Sequence, residues 1–358
     1  MNISLEKIDS LPIAGIKAAL SGVLGAPVVS IGKFPGGLNS RVYRVTDSRS
    51  RHYVAKFYFR HPADTRNRLD VEFSCLKFLW KEGFRCVPRP IAAEPKRAFA
   101  LYEYIDGDRM TSQKVTTREV ETAVHFLTDL KKLTGEGESR LFPPASEACF
   151  SARAAVLNIQ SRVERLFRSK ETGEVPDALR LFLREEFLPL LEVLTAWCRG
   201  KLGDSGLTFE KELALEERTL SPSDFGFHNA IMKRDGRIVF FDFEYFGWDD
   251  PAKMISDFLL HPAMALDDSL KRHFVTCMVR SFKEFKGLEQ RVEAVYPLFG
   301  LKWCLIFLNE FVSEDLLRRG FAKEDAFDRS QVQGEQLTKA KRLFETVKQA
   351  YRHFPYHG

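Results

Sequence analysis

The sequence predicts an α+β fold, in which a small, antiparallel β-rich N-terminal lobe precedes a larger and mostly helical C-terminal lobe. Two observations predict it. Short apolar segments with tight polar or glycine-containing connections fill residues 28–59, whereas long amphipathic patterns dominate from about Thr116 onward. The change in pattern follows Asp106-Gly107, so we expect a first lobe over residues 1–106 and a second over residues 107–358.

The first lobe is predicted to begin with a short helix of small residues and to continue as an antiparallel meander. Each predicted strand is an apolar segment bounded by turn residues, as is typical of tightly connected strands. Apolar spacing typical of a helix follows the third strand. The elements are a helix at 13–24, strands at 28–31, 42–45 and 53–59, a helix at 66–80, an extended segment at 87–91 and a strand at 98–105.

The second lobe is predicted to consist of six amphipathic helices interrupted by one β-hairpin. The hairpin is indicated by two apolar segments, 230–232 and 238–241, that flank a turn containing Asp235-Gly236. The predicted helices lie at 117–133, 150–169, 176–200, 264–286, 289–317 and 323–350.

Composition and charge exclude several classes of protein. A hydrophobic content of 44% with 31 Phe provides ample core material for a globular protein. The net charge of +5, from 54 basic and 49 acidic residues, is too small and too evenly mixed to indicate a nucleic-acid partner. The six cysteines show no metal-binding spacing and are expected to be reduced thiols. The N-terminus lacks signal-peptide features and no run of 18 apolar residues occurs, so we expect a cytoplasmic protein without a membrane partner.

Three polar residues around the hairpin form the most informative pattern. Asp224 lies five residues before Asn229, and Asp242 follows Asn229 by thirteen residues. Taken alone, the first pair could be an Asx-rich loop that caps a following strand. However, antiparallel strands place the loops that enter and leave a hairpin at the same end. We therefore expect Asp224 to receive a proton from a substrate hydroxyl, and Asn229 and Asp242 to bind Mg²⁺.

A glycine-containing loop between the first two strands is a candidate phosphate cover. Gly36 and Gly37 would let backbone N–H groups approach anionic oxygens, and Asn39 and Ser40 add further donors. The loop has neither a Gly-x-Gly-x-x-Gly nor a Walker pattern. A flexible hairpin turn is therefore the alternative interpretation.

Lys56 lies in the middle of a predicted strand with apolar neighbours on both sides. Such a lysine must either extend its ammonium to solvent or pair it with an anion. We expect it to bind nucleotide phosphates, with Glu72 in the next helix as its protein partner. Asp70 is the competing partner, but it lies about 200° from Glu72 around a helix. The alternative is a surface ion pair of little energetic value.

The last strand of the first lobe ends at the predicted connection to the second lobe. If an adenine base lies against this connection, backbone groups of Glu103, Tyr104 and Ile105 would bond its edge. The expectation concerns the position of these residues and not their side chains.

In this order, these residues give the chain a resemblance to the aminoglycoside phosphotransferase/choline kinase family, small-molecule kinases with a protein-kinase-like fold. The resemblance covers about residues 28–262 and is strongest over 221–257. It implies a bilobal fold, ATP and Mg²⁺ as cofactors, and Asp224 as the catalytic base. It also implies Asn229 and Asp242 as metal ligands, Lys56 on the ATP phosphates and Glu72 orienting that lysine.

One residue departs from the family pattern and two others are ambiguous. The family usually has a His two residues before the catalytic Asp, where this chain has Pro222, which can stiffen the loop by fixing its φ angle. The resemblance implies that Asp257 bonds the catalytic loop, although a helix cap is equally compatible with the pattern. His228 is interpreted as a packing or loop-bonding residue.

The acceptor is expected to bind near Asp224, beside the segment that follows Asp242. Carboxylates next to aromatic rings suit a sugar, aminosugar or amino alcohol, which predicts substrate contacts by Glu244, Trp248 and Asp249. The competing interpretation is that these residues belong to the core.

Three functions are compatible with the sequence. The first is an ATP- and Mg²⁺-dependent kinase that phosphorylates a hydroxyl of a small molecule. The second is a catalytically weak pseudokinase that binds nucleotide or a partner, for which Pro222 is the main support. The third, a protein kinase, is disfavoured because Asp242-Phe243-Glu244 stands in place of Asp-Phe-Gly and no Ala-Pro-Glu segment follows.

Overall fold

The structure is a computed structural model that describes residues 13–34, 40–61, 66–135, 137–169, 172–312 and 329–357. Its contacts divide the chain into two compact units. The first contains the described residues within 1–108 and 231–244, and the second contains those within 109–230, 245–312 and 329–357. The hairpin segment 231–244 thus belongs with the first unit, and the lobe boundary after residue 106 stays a prediction.

The first unit is built on a five-stranded antiparallel sheet with the strand order β1-β2-β3-β5-β4. Apolar residues of α1 and of the sheet share one buried core, which includes Leu20, Val45, Phe57, Phe99 and Leu101. This confirms the predicted antiparallel meander. The elements are α1 (Ile13–Leu24), β1 (Val28–Lys33), β2 (Ser40–Asp47), β3 (His52–Tyr58), α2 (Arg68–Lys81), β4 (Pro90–Glu94) and β5 (Phe99–Glu103).

Helix α2 places an acidic residue on its buried face. The buried face contains Leu69, Leu76 and Leu79 together with Glu72, at the three- and four-residue spacings of one helix side. Asp70, by contrast, is exposed and lies in the first turn, where the side chain of Asn67 caps the helix. The periodicity of α2 therefore directs Glu72, and not Asp70, into the unit.

A second, three-stranded sheet has the order β6-β8-β9, with β6 at Gly107–Arg109, β8 at Ala230–Lys233 and β9 at Ile238–Phe240. The turn between β8 and β9 is closed by the Lys233 N–H, which donates to the Arg237 carbonyl oxygen at 2.9 Å. Gly236 has φ +80°, which a glycine adopts without strain. The Asp-Gly signal thus predicted the hairpin correctly, whereas β6 was not predicted.

The second unit is mostly helical, and helix α9 lies at the centre of its packing. Helices α4, α6, α7 and α10 all pack against α9. A two-stranded sheet formed by β7 (Thr219–Ser221) and β10 (Gly247–Asp249) completes the unit. The helices are α3 (Thr117–Lys132), α4 (Ala152–Phe167), α5 (Glu174–Phe182), α6 (Leu188–Asp204), α7 (Pro251–Leu260), α8 (Asp268–Ser281), α9 (Leu288–Phe307) and α10 (Arg329–Ala350).

Helix α9 and the short turn after it are apolar enough to raise the question of a membrane span. Among the described residues, Leu288–Phe311 is the one helical segment whose length and composition would allow it to cross a membrane. However, 72% of its most apolar window is buried inside the protein. Its apolar character is accounted for by its position at the centre of the helical packing.

One predicted helix is interrupted in the structure, and one helix was not predicted. The helix predicted at 176–200 contains a π-helical turn at Leu183–Phe187 between α5 and α6. Helix α7 was not predicted, because its ten residues are too few for a long amphipathic pattern. Every residue from Pro251 to Leu259 is buried, including Lys253 and Asp257.

Candidate active site

Lys56 is the centre of a buried ion cluster in the first unit. The residue pairs with Ala100 in β5 and with Val42 in β2, so it lies inside the sheet. Its Nζ lies 2.6 Å from Glu72, 2.5 Å from Asp242 and 3.1 Å from Glu244, and its side chain is 8% exposed. The structure thus places Asp242 beside Lys56 and Glu72, which the sequence predicted as a pair.

Glu72 is fixed by three donors. Besides Lys56, the Tyr58 hydroxyl donates to Oε2 at 2.8 Å and the Phe243 N–H donates to Oε1 at 3.2 Å. Burial alone would lower the pKa of Lys56, but the carboxylates of Asp242, Glu72 and Glu244 raise that pKa well above its ordinary value. The lysine is therefore charged at physiological pH, as a phosphate-binding group must be.

Asp242 is the cluster member with most access to solvent. It lies two residues after β9 with φ +71°, and its side chain is 33% exposed. Burial raises the pKa of Asp242 to about 7, with Glu244 and Glu72 adding to the effect of burial and Lys56 opposing it. The proximity of other carboxylates thus makes a negative charge on Asp242 costly without a further cation.

The carboxylates of the cluster are suited to a divalent cation. Oxygens of Glu72, Asp242 and Glu244 lie within 4.8 Å of one another. Among the described residues, Lys56 and Arg68 lie near these carboxylates, with Arg68 3.6 Å from Glu244. A set of oxygen ligands fits the preference of Mg²⁺.

Asp224 and Asn229 belong to the second unit and lie in the loop between β7 and β8. The Asn229 amide Nδ2 donates to the Asp224 backbone carbonyl at 3.1 Å, which leaves the amide oxygen Oδ1 as the atom suited to a metal. Ser223, at φ +67°, donates its hydroxyl proton to the Ser146 carbonyl at 3.0 Å. The Asp224 side chain is 35% exposed, so a substrate can reach it.

Two histidines surround the Asp224 carboxylate. The Nε2 atoms of His228 and His261 lie 3.1 Å and 3.4 Å from Oδ1, and the two rings stack at 3.8 Å. Burial would raise the pKa of Asp224, but the hydrogen bond from His228, the electrostatic effects of His228 and His261, and the Asn229 side chain hold it below its ordinary value. The carboxylate is therefore ionised and able to accept a proton at neutral pH.

The sequence indicated a role for one of these histidines and not for the other. His228 was assigned to packing or loop bonding, and its hydrogen bond to Asp224 lies within that loop. His261 is the residue after α7, a helix that was not predicted. Nothing in the spacing of the sequence connects His261 to Asp224.

The structure describes some of the other residues that were predicted to bind the nucleotide. Gly36, Gly37 and Asn39 lie outside the described residues. Ser40 begins β2 and is buried. Near the end of β5, the Glu103 carboxylate accepts a hydrogen bond from the Arg89 backbone N–H at 3.1 Å. The Tyr104 ring lies 4.7 Å from the Arg44 guanidinium, and Ile105 follows the strand. Their roles toward a nucleotide stay predictions.

The expected substrate contacts of Glu244, Trp248 and Asp249 need correction. All three are internal: Trp248 is 4% exposed and donates Nε1–H to the Ser139 carbonyl at 3.2 Å. Asp249 is fully buried and pairs with Lys253 at 2.7 Å, while Glu244 belongs to the Lys56 cluster. Their polar atoms are occupied by protein partners, so the competing core interpretation is the correct one.

Asp257 also differs from its implied role. Its carboxylate accepts the Trp303 Nε1–H at 3.0 Å and pairs with Lys253 at 2.9 Å. Trp303 packs edge-on against His261, with 4.8 Å between the ring centroids. Asp257 therefore supports the neighbourhood of Asp224 through Trp303 and His261 rather than by bonding the catalytic loop itself.

The model of the "phosphotransferase enzyme family" matches residues 30–265, about two thirds of the chain. The chain belongs to this family. The assignment agrees with the resemblance carried by Lys56, Asp224 and Asp242, and it establishes the protein as a phosphotransferase family member.

Solved structures of kinases share the fold of this phosphotransferase family member. Choline kinase LicA from Streptococcus pneumoniae has a TM-score of 0.60 at 15% identity, over 93% of this chain and 99% of that one. Spectinomycin phosphotransferase, solved with ADP and spectinomycin, has a TM-score of 0.60 at 12% identity, covering 90% of this chain and 98% of that one. A choline/ethanolamine kinase family protein from Mesorhizobium loti gives 0.56 at 17% identity, over 96% and 99% of the two chains. These likenesses confirm the predicted protein-kinase-like α+β fold.

A curated relative matches a shorter segment. Altered inheritance of mitochondria protein 9 from Clavispora lusitaniae is 33% identical over 100 residues, which is 26% of this chain and 16% of that protein. The match therefore spans about a sixth of the relative's length.

Proposed function

We propose that this phosphotransferase transfers the γ-phosphate of ATP to a hydroxyl group of a small molecule, with Asp224 as the catalytic base and Mg²⁺ as cofactor. The observation that carries the proposal is the buried cluster in which Lys56 contacts Glu72 and Asp242. A lysine oriented by a helix carboxylate, beside an aspartate that can hold a metal, is the arrangement by which kinases bind nucleotide phosphates.

The role of Asp224 is supported by its charge state and its access. The carboxylate is one third exposed, and its pKa lies below the ordinary value. An ionised carboxylate near neutral pH can accept the proton of an attacking hydroxyl. In the proposed reaction the acceptor oxygen forms a bond to the γ-phosphorus, the bond to the bridging oxygen breaks, and ADP leaves.

The proposed metal ligands are Asn229 and Asp242, whose amide and carboxylate oxygens suit a hard cation. When bound, Mg²⁺ would neutralise charge on the phosphate oxygens. The carboxylates of Glu72 and Glu244 beside Asp242, together with the raised pKa of Asp242, about 7, support a cation at that position.

The proposed acceptor class is an alcohol of a sugar, aminosugar or amino alcohol. Support comes from the fold neighbours, among which are a choline kinase and a spectinomycin phosphotransferase. A shared fold does not fix a substrate, so resistance to an antibiotic does not follow from the likeness.

A nucleotide-binding and hydrolysis assay tests the proposal. Mg²⁺-ATP is expected to raise the melting temperature by a few degrees, as a ligand well above its Kd does. The wild-type protein is expected to hydrolyse ATP slowly, and Asp224→Asn is expected to abolish hydrolysis while nucleotide binding remains.

The matched control is Asp235→Asn, at an exposed aspartate that pairs with Arg237 in the β8–β9 turn. This variant is expected to retain both binding and hydrolysis. Nucleotide binding without hydrolysis by the wild-type protein, and without phosphorylated product, would instead support the pseudokinase. Absence of any melting shift would contradict the nucleotide assignment.

A further inference from the structure

The two carboxylate oxygens of Asp224 have different surroundings. Oδ1 is approached by the Nε2 atoms of both His228 and His261, at 3.1 Å and 3.4 Å. The histidine side chains are 14% and 15% exposed, compared with 35% for Asp224. Both imidazoles therefore converge on the same oxygen of a side chain that remains open to solvent.

The backbone sets the tautomer of His261. The Ala263 N–H donates to His261 Nδ1 at 3.2 Å, so Nδ1 acts as an acceptor and the ring proton must be on Nε2. His261 Nε2 therefore carries a proton 3.4 Å from Asp224 Oδ1, a longer contact than the hydrogen bond from His228. This arrangement also disfavours His261 as a metal ligand at Nε2, because a metal would have to displace that proton.

His228 must also donate to Asp224. An ionised carboxylate has only acceptor sites, so a hydrogen bond between it and the His228 Nε2 requires a proton on that nitrogen. The two rings are nearly parallel, with 4° between their planes. Trp303 packs against the edge of His261, which limits the movement of that ring.

We propose that His228 and His261 are positioning residues that hold Oδ1 of Asp224, His228 through an Nε2–H hydrogen bond and His261 through a longer Nε2–H contact, and that they reserve Oδ2 for the proton of the acceptor. The inference rests on the proposed function. As the acceptor oxygen forms its bond to the γ-phosphorus and ADP departs, the hydroxyl proton moves to Oδ2. Without the two donors the carboxylate can rotate, and fewer conformations present a free oxygen to the acceptor.

The decisive comparison uses two substitutions of His261. His261→Leu removes the donor, whereas His261→Gln retains an N–H group near the position of Nε2. In hydrolysis of Mg²⁺-ATP, with water as the acceptor, we expect His261→Leu to lower kcat about tenfold, the lower end of the effect of losing a polar contact with a charged group. The KM for ATP should change less than about twofold, because the histidine acts only on the base. His261→Gln should recover most of kcat.

A control separates positioning from general damage to the fold. His273 on α8, whose Nε2 lies 3.1 Å from Glu121 on α3, provides a matched substitution, and His273→Leu should leave kcat unchanged. A loss of kcat in His273→Leu as large as that in His261→Leu would overturn the proposal.

Imidazole ¹⁵N NMR tests the arrangement without turnover or substitution of the histidines. We expect His261 as the Nε2–H tautomer, and we expect the Nε2 resonances of both His228 and His261 to shift in Asp224→Asn. An Nδ1–H tautomer for His261, or no shift, would overturn the inference. If Asp224→Asn abolishes hydrolysis but His261→Leu stays within twofold of wild type, the positioning role fails and the proposed function stands. If Asp224→Asn retains hydrolysis, the proposed function itself fails.

Discussion

Lys56 contacts three carboxylates at once in the ion cluster of the first unit. Glu72, Asp242 and Glu244 all lie within 3.1 Å of its ammonium. A buried cation with several anionic partners has a structural role that does not depend on nucleotide. The same residue therefore links the stability of the first unit to the proposed binding of phosphate.

Replacing Lys56 with methionine should destabilise the protein even in the absence of nucleotide. The substitution leaves buried carboxylates without their main partner, and the free energy of unfolding should fall by roughly 3–5 kcal/mol. Urea denaturation measures the change. Lys132→Met is the control, because Lys132 pairs with Asp129 on the surface at 70% and 51% exposure. It should cost less than about 1 kcal/mol. A Lys56→Met protein as stable as this control would contradict the structural role of Lys56 in the ion cluster.

The burial of His261 allows a prediction of how the free energy of unfolding depends on pH. Burial lowers the pKa of His261 to about 4, below its ordinary value of 6.5. Between these values the unfolded chain binds a proton that the folded protein does not bind. The free energy of unfolding should therefore fall as the pH is lowered from 6.5 to 4, by up to about 3 kcal/mol. His261→Gln should remove this component, which urea titrations at several pH values will show. Parallel pH profiles for the two proteins would rule out the buried neutral histidine.

At this scale, the sequence predicted contacts only where local patterns fixed the side-chain direction. Lys56 and Glu72 could be paired because one lies mid-strand and the other falls on the apolar face of the next helix. His261 and Glu244 gave no such signal. Their contacts with Asp224 and Lys56 depend on tertiary packing, which spacing along the chain does not encode.

Helix α7 connects the β10 strand to the centre of the second unit. Asp250 caps its N-terminus by accepting the Ala252 N–H at 2.8 Å, and Arg291 of α9 bonds the same carboxylate at 2.5 Å and 2.8 Å. Both side chains are buried, at 1% and 3% exposure. The start of α7 thus depends on an ion pair with the central helix.

Arg291→Met should loosen α7 and destabilise the protein. It leaves the Asp250 carboxylate buried without its cation, which typically costs about 3–5 kcal/mol. Arg168→Met provides the comparison, because Arg168 pairs with Glu164 on an exposed helix face at 76% and 64% exposure. That substitution should cost less than about 1 kcal/mol. Equal denaturation midpoints for the two variants would show that the Arg291 pair contributes nothing.

At the scale of elements, the predictions succeeded where turn residues bound a short apolar segment, and they failed for a short helix that buries its charges. The strands of the first unit are apolar segments between turns, and the Asp-Gly turn marks the hairpin. Helix α7 buries ions as well as apolar residues: Lys253 pairs with Asp249 and Asp257 inside the unit. Its ten residues are fewer than the window over which a helical period is recognised.

For the whole molecule, the sequence already indicated the class of protein and its fold. The trio Asp224, Asn229 and Asp242 predicted the family, which the match over residues 30–265 confirms. The acceptor could not be predicted in the same way. Trp248 and Asp249 had the composition of a binding site, yet they are core residues, because aromatic and acidic side chains near a site also build its support.

Transfer of the γ-phosphate is the central claim, and ³¹P NMR of a screen of alcohols and aminosugars with Mg²⁺-ATP tests it most directly. The account predicts a new phosphate-monoester resonance with the wild-type protein for at least one hydroxyl compound, and no such resonance with Asp224→Asn. A phosphate ester formed equally well by Asp224→Asn, or ATP bound by the wild-type protein without any ester or hydrolysis, would contradict it.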